Sequence, residues 1–258
     1  MALQDVSNDN AIRNSVSAEE WQTRVDLAAA YRLISLFGFD DLTYNHLSAR
    51  VPGEPDHLLI KPTNIMFSEV TASALLKYDF DGNPITDEAP QLWGGGFVIH
   101  CGVMKERPDV NAAFHTHSPA VMGVCSQKQG LLPINQYALT FYKKLAYHDF
   151  HGFEFNIELR APLFRDLGDK NVMLMRNHGC LICATSVAHA FQLHHFLELA
   201  CQGQLAAMTG GAEITLPDED VLEFAAGQLS NLDPEKALAK DWPACLRKVQ
   251  RDAPGFDS

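Results

Sequence analysis

Two short apolar runs, Val172-Met-Leu-Met175 and Leu181-Ile-Cys-Ala184, are separated only by Arg176-Asn-His-Gly-Cys180. Strand-length apolar runs on either side of a glycine-bearing turn read as a strand pair. A third run, Val110 to Phe114, leads into His115-Thr-His117, and Leu42 to Val51 reads as a further strand, with Asn45, Leu47, Ala49 and Val51 on one face. Pro52-Gly53 turns the chain, and His57 to Lys61 reads as the return strand. Strands mixed with helical patterns favour a layered sheet covered by helices.

The helical patterns begin at Ser17-Ala-Glu-Glu20, a capping box in which the Ser17 hydroxyl and the Glu20 carboxylate satisfy free N–H groups. The helix that follows carries an apolar stripe from Trp21 to Phe37, and Gly38 can end it. Ser68 to Leu76 reads as a short helix, Asp79 to Asn83 as a tight turn, and residues 97–106 as a helix stopped before Pro108. Ile134 to Leu139 reads as a strand. A long helix runs from about Ser186 to Met208, and Pro217 and Pro234 sit at helix starts, the latter after a capping Asp233. Residues 1–16 read as a flexible arm, and 17–258 as one domain with a helical tail.

A formal net charge of -12 disfavours a nucleic-acid or anionic-membrane partner, since both need a basic face. No run of about 18 apolar residues marks a membrane span, and residues 1–16 lack the apolar core of a signal peptide, so a cytoplasmic location is expected. The cysteines at 101, 125, 180, 183, 201 and 245 lie among apolar neighbours. Cys180 and Cys183 have a C-x-x-C spacing but no matching second pair, so they read as reduced core thiols and not as a four-cysteine zinc site.

His115 and His117 are two apart. On a strand, such side chains share a face with Cα atoms about 6.5 Å apart, within reach of one ion. His178 lies in the turn Asn177-His178-Gly179, where Gly179 permits close backbone approach. Three histidines leave a coordination position open for water or substrate, which is the arrangement of a catalytic metal. Imidazoles suit zinc, and also cobalt, nickel, iron or copper. His148 and His151 flank Asp149 as second-layer groups or proton shuttles, or simply as a polar loop. His189, His194 and His195 fall on the long helix. Asn45, an amide on an apolar face, requires a partner from backbone or ligand.

Taken together, Arg107-Pro-Asp-Val110, Ala113-Phe-His-Thr-His-Ser118 and Arg176-Asn-His-Gly179 resemble the class II aldolase/adducin family. Tyr44-Asn-His-Leu-Ser-Ala-Arg50 and Ile60-Lys-Pro-Thr63 add to the likeness, which covers about residues 20–210. It implies a three-layer α/β/α fold with a central mixed, mostly antiparallel sheet. It also implies one divalent metal on His115, His117 and His178, zinc first, with iron, manganese or cobalt as alternatives. Asn45, Thr63, Asn64, Gly94, Gly95 and Gly96 fall at substrate-lining positions, and Tyr137 near a tyrosine that protonates a leaving group. Members are commonly homotetramers acting on small molecules.

One departure is informative. Sugar-phosphate aldolases of the family carry an acid four residues before the histidine matching His100, after two serines that hold phosphate. Here Gly96 takes the acid's position, and Gly94 and Gly95 the serines'. Glycine has no side chain to move a proton, so Tyr137, His148 or a metal-bound hydroxide is the expected replacement, and the glycine turn is expected to leave an open pocket floor. The Gly-Phe-x-Ile-His pattern is closer to the adducin-like branch. The functions implied are a metal-dependent lyase or isomerase on a hydroxy-carbonyl or keto-acid compound, a non-haem Fe(II) oxygenase, or a non-catalytic adducin-head-like module.

Overall fold

The computed structural model describes residues 6–153, 155–230 and 234–258. The start of the expected arm (residues 1–5) and the capping Asp233 lie outside the described residues. In chain order the elements are α1 (Val6–Ser15), α2 (Ala18–Leu36), β1 (His46–Val51), β2 (Glu54–Ile60), β3 (Leu76–Asp79), a π-helical turn (Gly96–Cys101), α3 (Gly102–Glu106), β4 (Ala112–Thr116), α4 (Pro119–Cys125) and α5 (Gln136–Leu139). They continue as β5 (Leu145–His148), α6 (Arg160–Leu167), β6 (Val172–Met175), β7 (Gly179–Ala184), α7 (Val187–Met208), α8 (Glu219–Ser230) and α9 (Pro234–Asp252).

The seven strands form one sheet in the order β3-β2-β1-β4-β7-β6-β5. Every neighbouring pair is antiparallel except β5 with β6. Strand alternation divides the interior into two cores. Leu47, Ala49, Phe114, Leu174 and Ile182 pack with α2, α4 and α7 on one face. Leu58, Ala113, Met173, Leu181 and Cys183 pack with α3, α6 and the π-turn on the other. This is the expected three-layer arrangement. Among the described residues, no helix is long and apolar enough to cross a membrane.

Local expectations were met unevenly. Ser17 caps α2, its hydroxyl accepting from the Glu20 N–H at 3.0 Å, and Gly38 (φ 72°) ends the helix. The Glu20 carboxylate does not return to the cap. It is buried and pairs with Arg24 at 2.9 Å and Lys77 at 2.7 Å. Ser68 to Leu76 is not a helix: a 3-10 turn at Phe67–Glu69 gives way to β3, whose residues pair with β2. Ile134 to Leu139 is not a strand. The Asn135 side chain accepts from the Ala138 N–H and starts α5, which buries Ala138 in the α7-side core. All six cysteines are free thiols, and all but the half-buried Cys245 are buried.

Candidate metal centre

The sheet brings the candidate ligands together at one end. β4 terminates at Thr116, so His117 lies just past the strand, while His178 sits in the turn joining β6 to β7, the strand beside β4. That turn is left-handed at Asn177 (φ 56°). Gly179 serves a different need: a Cβ there would lie 2.3 Å from the Thr116 carbonyl oxygen and 3.0 Å from the His117 ring. Only a glycine lets the turn come this close to the end of β4.

The His115 Nε2 lies 3.0 Å from the His117 Nε2, which lies 3.0 Å from the His178 Nε2. Two Zn–N bonds of about 2.05 Å at the tetrahedral angle set their nitrogens about 3.3 Å apart, close to this spacing. The other ring nitrogens decide what the Nε2 atoms present. His115 Nδ1–H donates to the Cys180 carbonyl at 3.0 Å, and His117 Nδ1–H donates to the Asp41 carboxylate at 3.3 Å. Such acceptors orient metal-ligating imidazoles and raise their basicity. Burial, followed by the neighbouring His178 and His117, pushes His115 well below the usual imidazole range and keeps it neutral. With His115 neutral and its Nδ1–H committed, its Nε2 lone pair faces the Nε2 atoms of His117 and His178. A cation between them fits this donor set.

The face of β4 away from these lone pairs is closed. Thr116 Oγ1 is 2.7 Å from His194 Nε2 of α7, and burial holds His194 down to about 3. Ser118 Oγ donates to the buried Glu198 carboxylate at 2.7 Å, which also accepts from the Ala120 and Val121 N–H groups at the start of α4. Asn45 belongs to this framework. It is fully buried, accepting from the His117 N–H at 3.1 Å and donating to the Phe39 carbonyl at 3.4 Å, so its amide positions the chain at His117.

Sequence reasoning passed over His46 and His100. Registered opposite His115, His46 stacks on it with ring centroids 5.2 Å apart. His46 Nδ1 is 2.7 Å from His100 Nε2, and His100 Nδ1 is 2.5 Å from Ser48 Oγ. Strand alternation puts His46 and Ser48 on the face opposite Leu47 and Ala49. Nothing in the sequence says that the π-turn delivers His100 to that same face. Burial lowers His100 to about 3. Burial again comes first for His46, ahead of the charges of its neighbours, in driving it well below the ordinary range.

The glycine turn departs from the open floor expected of it. A Cβ on Gly95 would meet His46 Nε2 at 2.9 Å, and one on Gly96 would meet Leu92 Cδ1 at 3.1 Å and Ile60 Cδ1 at 3.6 Å. The space at the acid's position is thus taken by Leu92 and Ile60, and that beside it by the His46 imidazole. Thr63 and Asn64 are exposed on the turn after β2. Neither expected proton-transfer residue joins the cluster. Tyr137 lies against Phe196 of α7, on the opposite helical layer, with the rings tilted by 44°. His148, at the end of β5, pairs with Asp166 at 2.7 Å and lies edge-on to His151. Arg176 donates to the Gln127 carbonyl and lies over Tyr147.

Residues 25–205 match the description "Class II Aldolase and Adducin N-terminal domain". The chain belongs to the class II aldolase/adducin family. It is 40% identical to the solved structure of an aldolase II superfamily protein from Pseudomonas syringae, over 96% of this chain and 100% of that one, with a TM-score of 0.92. Alpha-adducin of Rattus norvegicus is 38% identical over 248 residues, which are 93% of this chain and 32% of the adducin. An L-fuculose 1-phosphate aldolase from Glaciozyma antarctica, 24% identical over 98% of this chain and 95% of its own, shares the fold with a TM-score of 0.79. Family membership and the three-histidine cluster agree with the divalent-metal dependence typical of class II aldolases.

Proposed function

We propose that this chain is a metal-dependent lyase or isomerase acting on a small hydroxy-carbonyl or 2-oxo acid compound. The observation that carries this reading is the convergence of three imidazole Nε2 atoms, two of them with the opposite nitrogen held by an acceptor. His115, His117 and His178 would hold the ion, with zinc as first choice and iron, manganese or cobalt as alternatives. When bound, the ion supplies a Lewis acid that polarises a carbonyl oxygen.

Proton transfer is assigned to His46, in place of Tyr137 and His148. In one tautomer His46 Nδ1–H donates to His100 Nε2, which leaves His46 Nε2 a bare acceptor at the Gly95 turn. In the other, His100 Nε2–H donates to His46 Nδ1 and His46 Nε2 carries a proton it can give. Both rings stay neutral either way, as their burial requires. Ser48 holds the far end by bonding His100 Nδ1. Because Gly94, Gly95 and Gly96 carry no phosphate-holding hydroxyl and no acid, slow cleavage of fuculose- and ribulose-type phosphates is expected. The chain is further assigned to the cytoplasm and to a homo-oligomer, which a solution mass would test.

The deciding experiment follows deuterium exchange at C3 of pyruvate by NMR, using chain loaded with zinc to one ion per protomer. Exchange that requires the metal and falls at least tenfold in His46→Gln is the expected result. Full zinc loading with no exchange across a panel of 2-oxo acids would instead support the adducin-head-like binding module, a reading favoured by the glycine at position 96. Oxygen consumption by Fe(II)-loaded chain would support an oxygenase.

A further inference from the structure

Four aromatic side chains stand out of the surface beside the three histidines. Trp93 is 71% exposed, Phe153 64%, Phe155 63% and Phe150 45%. They form a continuous line. Trp93 lies 6.3 Å from Phe155 between ring centroids, Phe155 stacks on Phe153 at 5.6 Å, Phe153 meets Phe150 edge-on at 6.0 Å, and Phe150 meets the His178 ring edge-on at 6.4 Å. The line therefore runs from the glycine turn to one of the three converging imidazoles. An apolar surface of this kind marks a place where something binds.

The chemistry of the occupant follows from what surrounds the line. Cations on the bordering segments are already committed to backbone oxygens. Arg160 donates to the Val98 and Phe97 carbonyls and lies over Phe97. Lys61 donates to the carbonyls of Thr43, Pro62 and Ile65. Arg176 is held by Gln127 and Tyr147. The glycines at 94, 95 and 96 add no hydroxyl. A distal phosphate would meet no charged partner on these residues, whereas a planar apolar group would meet ring faces and edges, the geometry aromatic pairs prefer.

We propose that this aromatic line is the subsite for the substrate's substituent, and that the substrate class is a 2-oxo acid or hydroxy-carbonyl compound bearing an aromatic ring. Its carbonyl end lies at the histidines and its ring between Phe150 and Phe155. The assignment rests on the metal reading of the three histidines. Calorimetric titration of zinc-loaded chain with phenylpyruvate and with pyruvate, alongside Trp93 emission, tests it. Phenylpyruvate is expected to bind at least tenfold tighter and to change the emission. Phe153→Ala and Phe155→Ala should each weaken phenylpyruvate at least fivefold and leave pyruvate within twofold. Equal affinities, or a preference that survives both variants, would overturn the subsite while leaving the metal reading intact. A smaller solution mass in either variant would also overturn it, by assigning the line to a contact between copies. Failure to take up zinc would bring down the metal reading and the subsite together, whereas zinc uptake with neither acid binding would overturn the subsite and the substrate class while leaving the metal reading intact.

Discussion

The two faces of β4 carry similar amounts of buried polarity and use it differently. On the α7 side, Thr116 meets His194, and Ser118 with the first turn of α4 meets Glu198. Thr116, Ser118 and the N–H groups of Ala120 and Val121 each end on a partner within the fold, while the buried His194 Nδ1 has none. On the other side His115 spends only its Nδ1 on the backbone, and its Nε2 converges with those of His117 and His178. Buried histidine alone therefore does not mark a site in this molecule. His194 is as buried as His115, and its ring faces a hydroxyl and Phe39. The mark of a site is an uncommitted nitrogen aimed where other uncommitted nitrogens point.

That contrast can be broken by experiment. His115→Ala and His178→Ala should lower zinc affinity by about a thousandfold or more, since each removes one of three ligands, whereas His194→Gln should leave the metal-to-protein ratio unchanged. Equilibrium dialysis with metal analysis reads both, and loss of zinc in His194→Gln would erase the distinction between the faces. Gly179→Ala joins the two sides, because its Cβ would press 2.3 Å from the Thr116 oxygen. It is expected to destabilise the fold by about 3 kcal/mol through overpacking and to weaken zinc binding by moving His178. Urea midpoints and dialysis on the same sample check this.

Acidity should act on both faces through burial. His100 and His194 sit near 3 in the folded chain, against about 6.5 unfolded. Their contribution is whole above about pH 6.5 and is lost progressively as pH falls toward 3, because the unfolded chain binds the protons first. The slope is at most about 1.4 kcal/mol per pH unit for each group. Stability curves from pH 7 to 4 should therefore fall less steeply in His194→Gln; an unchanged slope would show that His194 is protonated in the native state. The smallest effect is expected at Asp41→Asn. It keeps the ring contact of His117 but removes the carboxylate behind it, so zinc affinity should drop about tenfold with the urea midpoint within about 0.5 kcal/mol of wild type.

Residues next to one another in the chain made some of this legible. The strands β1, β2, β4, β6 and β7 announced themselves as apolar runs bounded by turns, and α2 and α7 by stripe and cap. His115, His117 and His178 were named from spacing and turn chemistry, and the structure brings all three together. Other features depended on partners distant in sequence. β5 is an edge strand of Leu145-Ala-Tyr-His148 that exists by pairing in parallel with β6, and β3 by pairing with β2. Its propensity made Ile134 to Leu139 look extended. Asn135 and packing against α7 made its second half helical, because a capped turn buried on a neighbour outweighs a weak local preference.

Chain order alone pointed to a layered sheet and to the three candidate ligands through short-range periodicity and motif spacing, and its motifs resembled those of the family that implies the three-layer fold. Only the tertiary structure decided which side chains occupy the space beside Gly95 and Gly96. His46 and His100 stand 54 residues apart in sequence, and their Nδ1–Nε2 contact arises because β1 and the π-turn pack on one face of the sheet. The glycines at 95 and 96 look like missing chemistry in the sequence. In the fold, the absence of their Cβ atoms lets an imidazole from β1 and the side chains of Leu92 and Ile60 approach within contact distance. Close packing can put a donor from one strand into the space another residue gives up, and no local signal records that exchange.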